Sequence, residues 1–119
     1  MTSFTIFGEV TTPQVLGTGE AGAVTANGNL MVTSQDNAVN MNDFAFLSVS
    51  GSIFSALNAV DSIDSGFVSV GTTGVPTAFS QAIHFSGGFT PSTVNNKGII
   101  YGASGVVSDS SGLTVVNAG

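Results

Sequence analysis

The sequence carries very few charges. Seven acidic residues and Lys97 are its eight charged side chains among 119 residues, or 7%, whereas an average soluble domain is about 25% charged. At 42% hydrophobic residues, including nine phenylalanines, the chain still has enough apolar bulk for one core. Sheet proteins use lysine, proline and other charges to protect their exposed strand edges. A sheet protein of this composition therefore needs its strand edges covered by other means.

Residue types and turn signals predict a single all-β domain. Helix-forming residues are scarce, β-branched residues are abundant, and glycine recurs every several residues as it does in turns. This pattern is typical of a small sandwich or barrel of about eight to ten short antiparallel strands. Pro13, Gly17, Gly19 and Gly22 interrupt the first part of the chain. We therefore expect an extended N-terminal arm over residues 1–22 and the all-β domain over residues 23–119.

Two dipeptides predict hairpins. Asn27-Gly28 lies between two apolar stretches, and asparagine followed by glycine tolerates the positive φ angles of a type I′ turn. Gly51-Ser52 lies within the longest apolar region and suits a type II′ turn. The second hairpin would place Val49 opposite Phe54 in an antiparallel pair.

One internal similarity stands out. Residues 46–51 (Phe-Leu-Ser-Val-Ser-Gly) resemble residues 67–72 (Phe-Val-Ser-Val-Gly-Thr). Such a pair arises readily in a chain rich in serine, valine and glycine. We interpret it as a consequence of composition rather than as the repeat of a solenoid.

Charge and composition exclude several classes of partner. A net charge of −6 with one lysine cannot neutralise phosphates, so neither nucleic acid nor an anionic membrane surface is an expected partner. The first part of the chain lacks a basic segment followed by an apolar one, so no signal peptide is predicted. No apolar stretch approaches the length of about 18 residues that a membrane-spanning helix needs. We expect synthesis in a cytoplasm.

The residues that bear chemistry do not form a recognisable catalytic or cofactor motif. His84 would have to be the base of any serine-histidine-aspartate triad, but its strand neighbours Ser80 and Ser86 favour a polar surface or interface histidine. Asp61 and Asp64 could offer oxygens to Ca²⁺, although such residues beside glycine also suit an ordinary turn. We expect no enzyme activity and no cofactor, and the sequence leaves calcium binding by this pair open.

The uncovered strand edges point to assembly as the function. Barrel closure, a symmetric oligomer or strand addition to a neighbour would each cover them. The β-prone segment 1–22 suits the last role. Its apolar side chains are the predicted partner contacts: Phe4, Ile6, Phe7, Val10, Val15 and Leu16.

A short, cysteine-free chain that starts with methionine, is rich in glycine, serine, threonine and valine, and has a Gly/Pro-interrupted segment from Val10 to Gly22 resembles the virion structural proteins of tailed bacteriophages. It is most similar to capsid decoration, or cement, proteins. The resemblance implies a virion protein, favours a trimer, and implies binding to the major capsid protein or other virion subunits to stabilise the shell. One alternative is a tail, fibre or receptor-binding subunit that recognises a cell-surface glycan. A second alternative is a small hydrolase that uses His84.

Overall fold

The computed structural model describes residues 2–63, 65–86, 92–108 and 113–117. All regular elements within these ranges are β-strands, so the all-β prediction is confirmed. No helix in the described part of the chain could span a membrane.

The strands form a parallel β-solenoid. Each described strand pair is parallel, and the chain visits three sheets in turn as it winds through about four turns. Each sheet forms one face of the coil, and the core lies between the three faces.

The strands are numbered in chain order, and the members of each sheet follow in their order across the sheet. The first sheet contains β1 (Thr2–Ile6), β4 (Ala21–Val24), β7 (Ala45–Val49), β10 (Gly66–Val70), β13 (Ser92–Asn96) and β15 (Leu113–Asn117). The second sheet contains β11 (Val75–Ala78), β8 (Ser52–Ser55), β5 (Asn29–Val32) and β2 (Glu9–Val10). The third sheet contains β14 (Ser104–Ser108), β12 (Gln81–Ser86), β9 (Val60–Ile63), β6 (Val39–Met41) and β3 (Gln14–Leu16).

The predicted antiparallel sandwich or barrel is therefore wrong. Asn27-Gly28 and Gly51-Ser52 do change the chain direction locally, but they are corners at which the chain passes from the first sheet to the second. Val49 pairs with Val24 and Val70 of the neighbouring turns and not with a residue of the next strand. A glycine-containing turn between two short strands is compatible with both a hairpin and a corner, which is why the local pattern misled the prediction.

The predicted N-terminal arm is also wrong for the described residues 2–22. These residues form the first turn of the coil, because β1 pairs with β4, β2 with β5 and β3 with β6. Ile6 and Leu16 are buried in the common core. The boundary expected between residues 22 and 23 falls inside β4.

The similarity between residues 46–51 and 67–72 is a structural repeat. Phe46 and Phe67 occupy the same register position in adjacent strands of the first sheet. Their rings stack with centroids 4.9 Å apart and an angle of 11° between the ring planes. One turn of the coil separates the two segments, so the interpretation as a chance similarity was wrong.

A column of glycines forms the corner between the first and second sheets. The amide following each glycine donates to the carbonyl of the glycine one turn earlier: Asn29 to Gly8 at 2.8 Å, Ser52 to Gly28 at 3.1 Å, Val75 to Gly51 at 2.9 Å and Ile99 to Gly74 at 3.0 Å. From Gly28 through Gly51 and Gly74 to Gly98, these glycines recur at nearly constant intervals. Their spacing therefore marks the length of a turn.

Close backbone approach requires glycine at this corner. A Cβ on Gly51 would overlap the carbonyl oxygens of Thr25 and Gly28, and a Cβ on Gly74 would overlap the carbonyl oxygen of Val49. By contrast, no atom lies within 4 Å of the Cβ position of Gly8 in the first turn. The requirement thus comes from the turn stacked beneath each corner.

The core is built from columns of inward-facing aliphatic side chains. Alternate residues of each strand face inward, as the period of a β-strand requires, and the inward residues of successive turns stack in register. The largest fully buried side chains include Phe85, Leu16, Leu30, Met41, Leu47, Ile53 and Ile83. This stacking buries the apolar face of every sheet without a second layer.

We predict that Gly51→Ala lowers the free energy of unfolding by about 2 kcal/mol or more, because rigid backbone oxygens leave no room for the methyl group. Urea denaturation followed by circular dichroism measures the change. Gly8→Ala is the matched control and should alter stability by less than about 0.5 kcal/mol. Equal effects at the two positions would contradict the stacked-corner arrangement.

Candidate functional site

An outward column of large side chains runs across the second sheet. Met31, Phe54, Thr77 and Tyr101 occupy one register position in four successive turns. The ring of Phe79, just after β11, meets the ring of Phe54 edge to face, with centroids 5.4 Å apart. We call these five residues the aromatic column.

The aromatic column is well exposed and has little charge around it. Phe79 and Tyr101 are 70% and 67% exposed. The other outward register position of this sheet holds Glu9, Asn29, Ser52 and Val75, so one carboxylate accompanies it, in the first turn. Contiguous exposed apolar surface of this kind marks an interaction site more often than isolated apolar residues do.

A second exposed aromatic feature lies at the corner between the third and first sheets. Phe44 has a φ angle of 60° and is 62% exposed. This left-handed conformation is unfavourable for a bulky side chain by about 1–2 kcal/mol. One turn earlier the equivalent position is occupied by Gly19, whose φ angle is 72°. The protein thus places an aromatic residue where the neighbouring turn has glycine.

Hydrogen bonds on both sides hold the Phe44 corner in place. The Phe44 amide donates to the carbonyl of Ser65 at 2.7 Å, and the Ser65 amide donates to the Asp43 carboxylate at 3.1 Å. On the other side, the Gly19 amide donates to the carbonyl of Asp43 at 3.0 Å. The Asn42 side chain donates to the carbonyl of Leu16 at 3.1 Å. Neighbouring turns therefore impose the unfavourable φ angle on Phe44.

A groove of about 260 Å³ opens beside this corner. The stacked rings of Phe46 and Phe67 contribute to its wall, and Phe46 is 40% exposed. No charged side chain is among the lining residues, which are Phe44, Ala45, Phe46, Ser65, Gly66, Phe67 and Thr93. We call this feature the Phe44 groove.

Polar side chains form a ladder on the third sheet. Asn40, Asp61 and His84 occupy one outward register position in three successive turns. His84 Nδ1 lies 2.6 Å from Asp61 Oδ1, and both side chains are about one-fifth exposed. Asn37 donates to Asn40 Oδ1 at 3.0 Å and to Asp61 Oδ2 at 3.3 Å. Asp61 thus connects the histidine with the two asparagines.

A carboxylate that orients an imidazole is one part of a nucleophilic catalytic site. The register neighbours of His84 are Asp61 and Val107, and Ser86, on the same strand, pairs with Ile63. His84 therefore lies on the polar outer face, as the alternation of its strand predicted. Aspartate as its partner could have been found from the sequence separation of the two residues, which equals one turn.

The structure leaves the calcium question at Asp61 and Asp64 open, because Asp64 lies outside the described residues. Both carboxylate oxygens of Asp61 accept or contact protein nitrogens, from His84 and Asn37. Within the described ranges, no group of three or more histidine, cysteine, aspartate or glutamate residues could hold a metal ion.

The six predicted contact residues fall into two groups. Phe7 and Val15 are 72% and 59% exposed and lie on the surface. The other four either belong to the core or pack against it: Phe4, Ile6, Val10 and Leu16. The sequence prediction missed the aromatic column, although Met31, Phe54, Thr77 and Tyr101 recur at the same intervals as the corner glycines.

Comparison with known proteins yields no match among protein-family models, curated proteins or solved structures.

We predict that Phe44→Gly is more stable than Phe44→Ala by about 1 kcal/mol. Both variants lose the ring, but only glycine adopts a positive φ angle without strain. Urea midpoints measure the difference. At Ser48, in the extended strand β7, the order should be reversed, because glycine weakens a regular strand. If Phe44→Ala equals or exceeds Phe44→Gly in stability, the corner is not strained.

Proposed function

We propose that this protein is a non-enzymatic structural subunit of a virion, which binds and stabilises a capsid lattice through the uncharged outer faces of its solenoid. The aromatic column is the observation that carries the proposal. It places Met31, Phe54, Phe79 and Tyr101 together on one sheet. The virion itself comes from the resemblance in size and composition.

Burial of the aromatic column would supply binding energy without charge. Each exposed aromatic side chain contributes about 25 cal/mol per Å² of apolar surface removed from water. Aromatic residues and methionine are enriched at protein interfaces, and tyrosine is a common hot spot. The rigid sheet holds Tyr101 and Phe79 in place, so binding orders few side chains.

The mode of contact differs from that expected from the sequence. The coil pairs most strands on both sides, so its own winding covers the strand edges between turns. Face-to-face contact is therefore the proposed mode, in place of strand addition by an arm. A homo-oligomer, with the trimer favoured by the resemblance, remains part of the proposal. So does synthesis in the host cytoplasm before incorporation into the particle.

We expect virions from a genome that contains this reading frame to carry the protein at a fixed copy number. Mass spectrometry of purified particles measures its presence, and electron cryomicroscopy should show its density over the head lattice. Density confined to the tail would favour the fibre alternative with its glycan receptor. Absence of the protein from purified particles would contradict the proposal.

Within that experiment, the double variant Phe79→Ser/Tyr101→Ser should bind particles that lack the protein at least about 30-fold more weakly than the unmodified chain. Ile63→Ser, which changes a 52% exposed residue on the third sheet, is the matched control and should bind normally. Affinity should change little between low and high salt, because so few charges contribute. A steep salt dependence would argue against an apolar interface.

Hydrolysis is the second candidate function, and the 2.6 Å contact between His84 and Asp61 is the observation in its favour. A catalytic His84 requires that His84→Ala abolish any ester or glycoside hydrolysis by the purified protein. We expect His84→Ala to fold normally and to bind particles normally. Hydrolysis that is present in the unmodified chain and lost in this variant would establish the second candidate instead.

A further inference from the structure

The Phe44 groove combines two features that are unfavourable in the free protein. The Phe44 ring is mostly in water, at 62% exposure, and its backbone has a left-handed φ angle of 60°. Glycine would relieve both, and glycine is what the chain has at the equivalent position one turn earlier. Backbone strain that neighbouring structure maintains is concentrated at functional sites.

The geometry of the corner presents the ring to solvent. Hydrogen bonds from Phe44 to Ser65 and between Ser65 and Asp43 hold the backbone. Without the left-handed residue, the chain could not turn here and still enter β7 in register with β4 and β10. The ring therefore stands at the mouth of the groove, next to the stacked pair Phe46 and Phe67.

The chemistry of the groove selects its ligand. Phenylalanine rings have no polar tip, unlike tryptophan or tyrosine, and three of the lining residues are phenylalanines. A sugar would need several polar groups around the rings, whereas Ser65 and Thr93 are the hydroxyl-bearing side chains in this lining. A volume of about 260 Å³ is also small for a separate small-molecule ligand.

We infer that the Phe44 groove receives an apolar aliphatic or aromatic side chain of the partner protein, and that Phe44 is a hot-spot residue of that contact. This inference rests on the proposed function, because it takes the partner to be a structural protein. It adds a contact on the first sheet to the one formed by the aromatic column on the second sheet. Insertion of one side chain between the rings buries Phe44 and removes the groove from water.

The test uses the isolated full-length protein labelled with ¹⁵N and N-acetyl-leucinamide as the probe. We expect saturable chemical-shift changes at the amides of residues 44–46, 66–67 and 93, with a dissociation constant on the order of 10 mM for one side chain. Phe44→Ala and Phe44→Gly should both weaken binding at least about tenfold. Phe7→Ala, which removes a ring that is 72% exposed at another corner, should leave it unchanged.

Two results would overturn the inference: no saturable change at the groove, or equal binding to Phe44→Ala. Saturable binding of methyl β-glucopyranoside but not of the leucine derivative would also overturn it and would identify a carbohydrate site. The result is independent of the virion experiment. Probe binding with no protein in particles would refute the proposed function alone, and protein in particles with no probe binding would refute this inference alone.

Discussion

Close backbone contact at one corner of the coil is the constraint on which the rest of the structure depends. Gly28, Gly51, Gly74 and Gly98 bring successive turns so near each other that a methyl group at any of them would overlap a carbonyl oxygen of an adjacent turn. This approach sets the register of the first and second sheets. The register then aligns buried aliphatic residues in columns inside and the aromatic column outside.

The low charge has a different meaning in this fold than in a sandwich. A sandwich has exposed edges along each sheet, and those edges need charges, prolines or a partner. In the coil, β4, β7, β10 and β13 each pair with a strand on both sides, and the same holds for the inner strands of the other two sheets. The shortage of lysine therefore does not by itself require an oligomer. The argument for assembly now rests on exposed aromatic residues.

Much of the local structure could be predicted from the sequence. Strands were expected over residues 67–70 and 113–116, where β10 and β15 lie, and changes of chain direction at Asn27-Gly28 and Gly51-Ser52 are real. Strand partners could not be obtained in this way, because a turn dipeptide does not say whether the next strand returns along the first or joins another sheet.

Two further features hid the coil and its strained corner from sequence reasoning. Turns of unequal length weaken the repeat, since the chain segment from Val24 to its partner Val49 is longer than the segment from Val49 to its partner Val70. Phe44 has no sequence signal, because its strained φ angle arises from contacts with two neighbouring turns.

Interstrand nuclear Overhauser effects around Val49 test the central claim most directly. In the parallel coil, the Val49 backbone lies beside Val24 and Val70. Contacts from its backbone protons to those two residues, in the slanted pattern of parallel strands, are the predicted result. Strong Hα–Hα contacts across Gly51-Ser52, with Val49 opposite Phe54, would instead show an antiparallel hairpin and contradict the stacked-turn account.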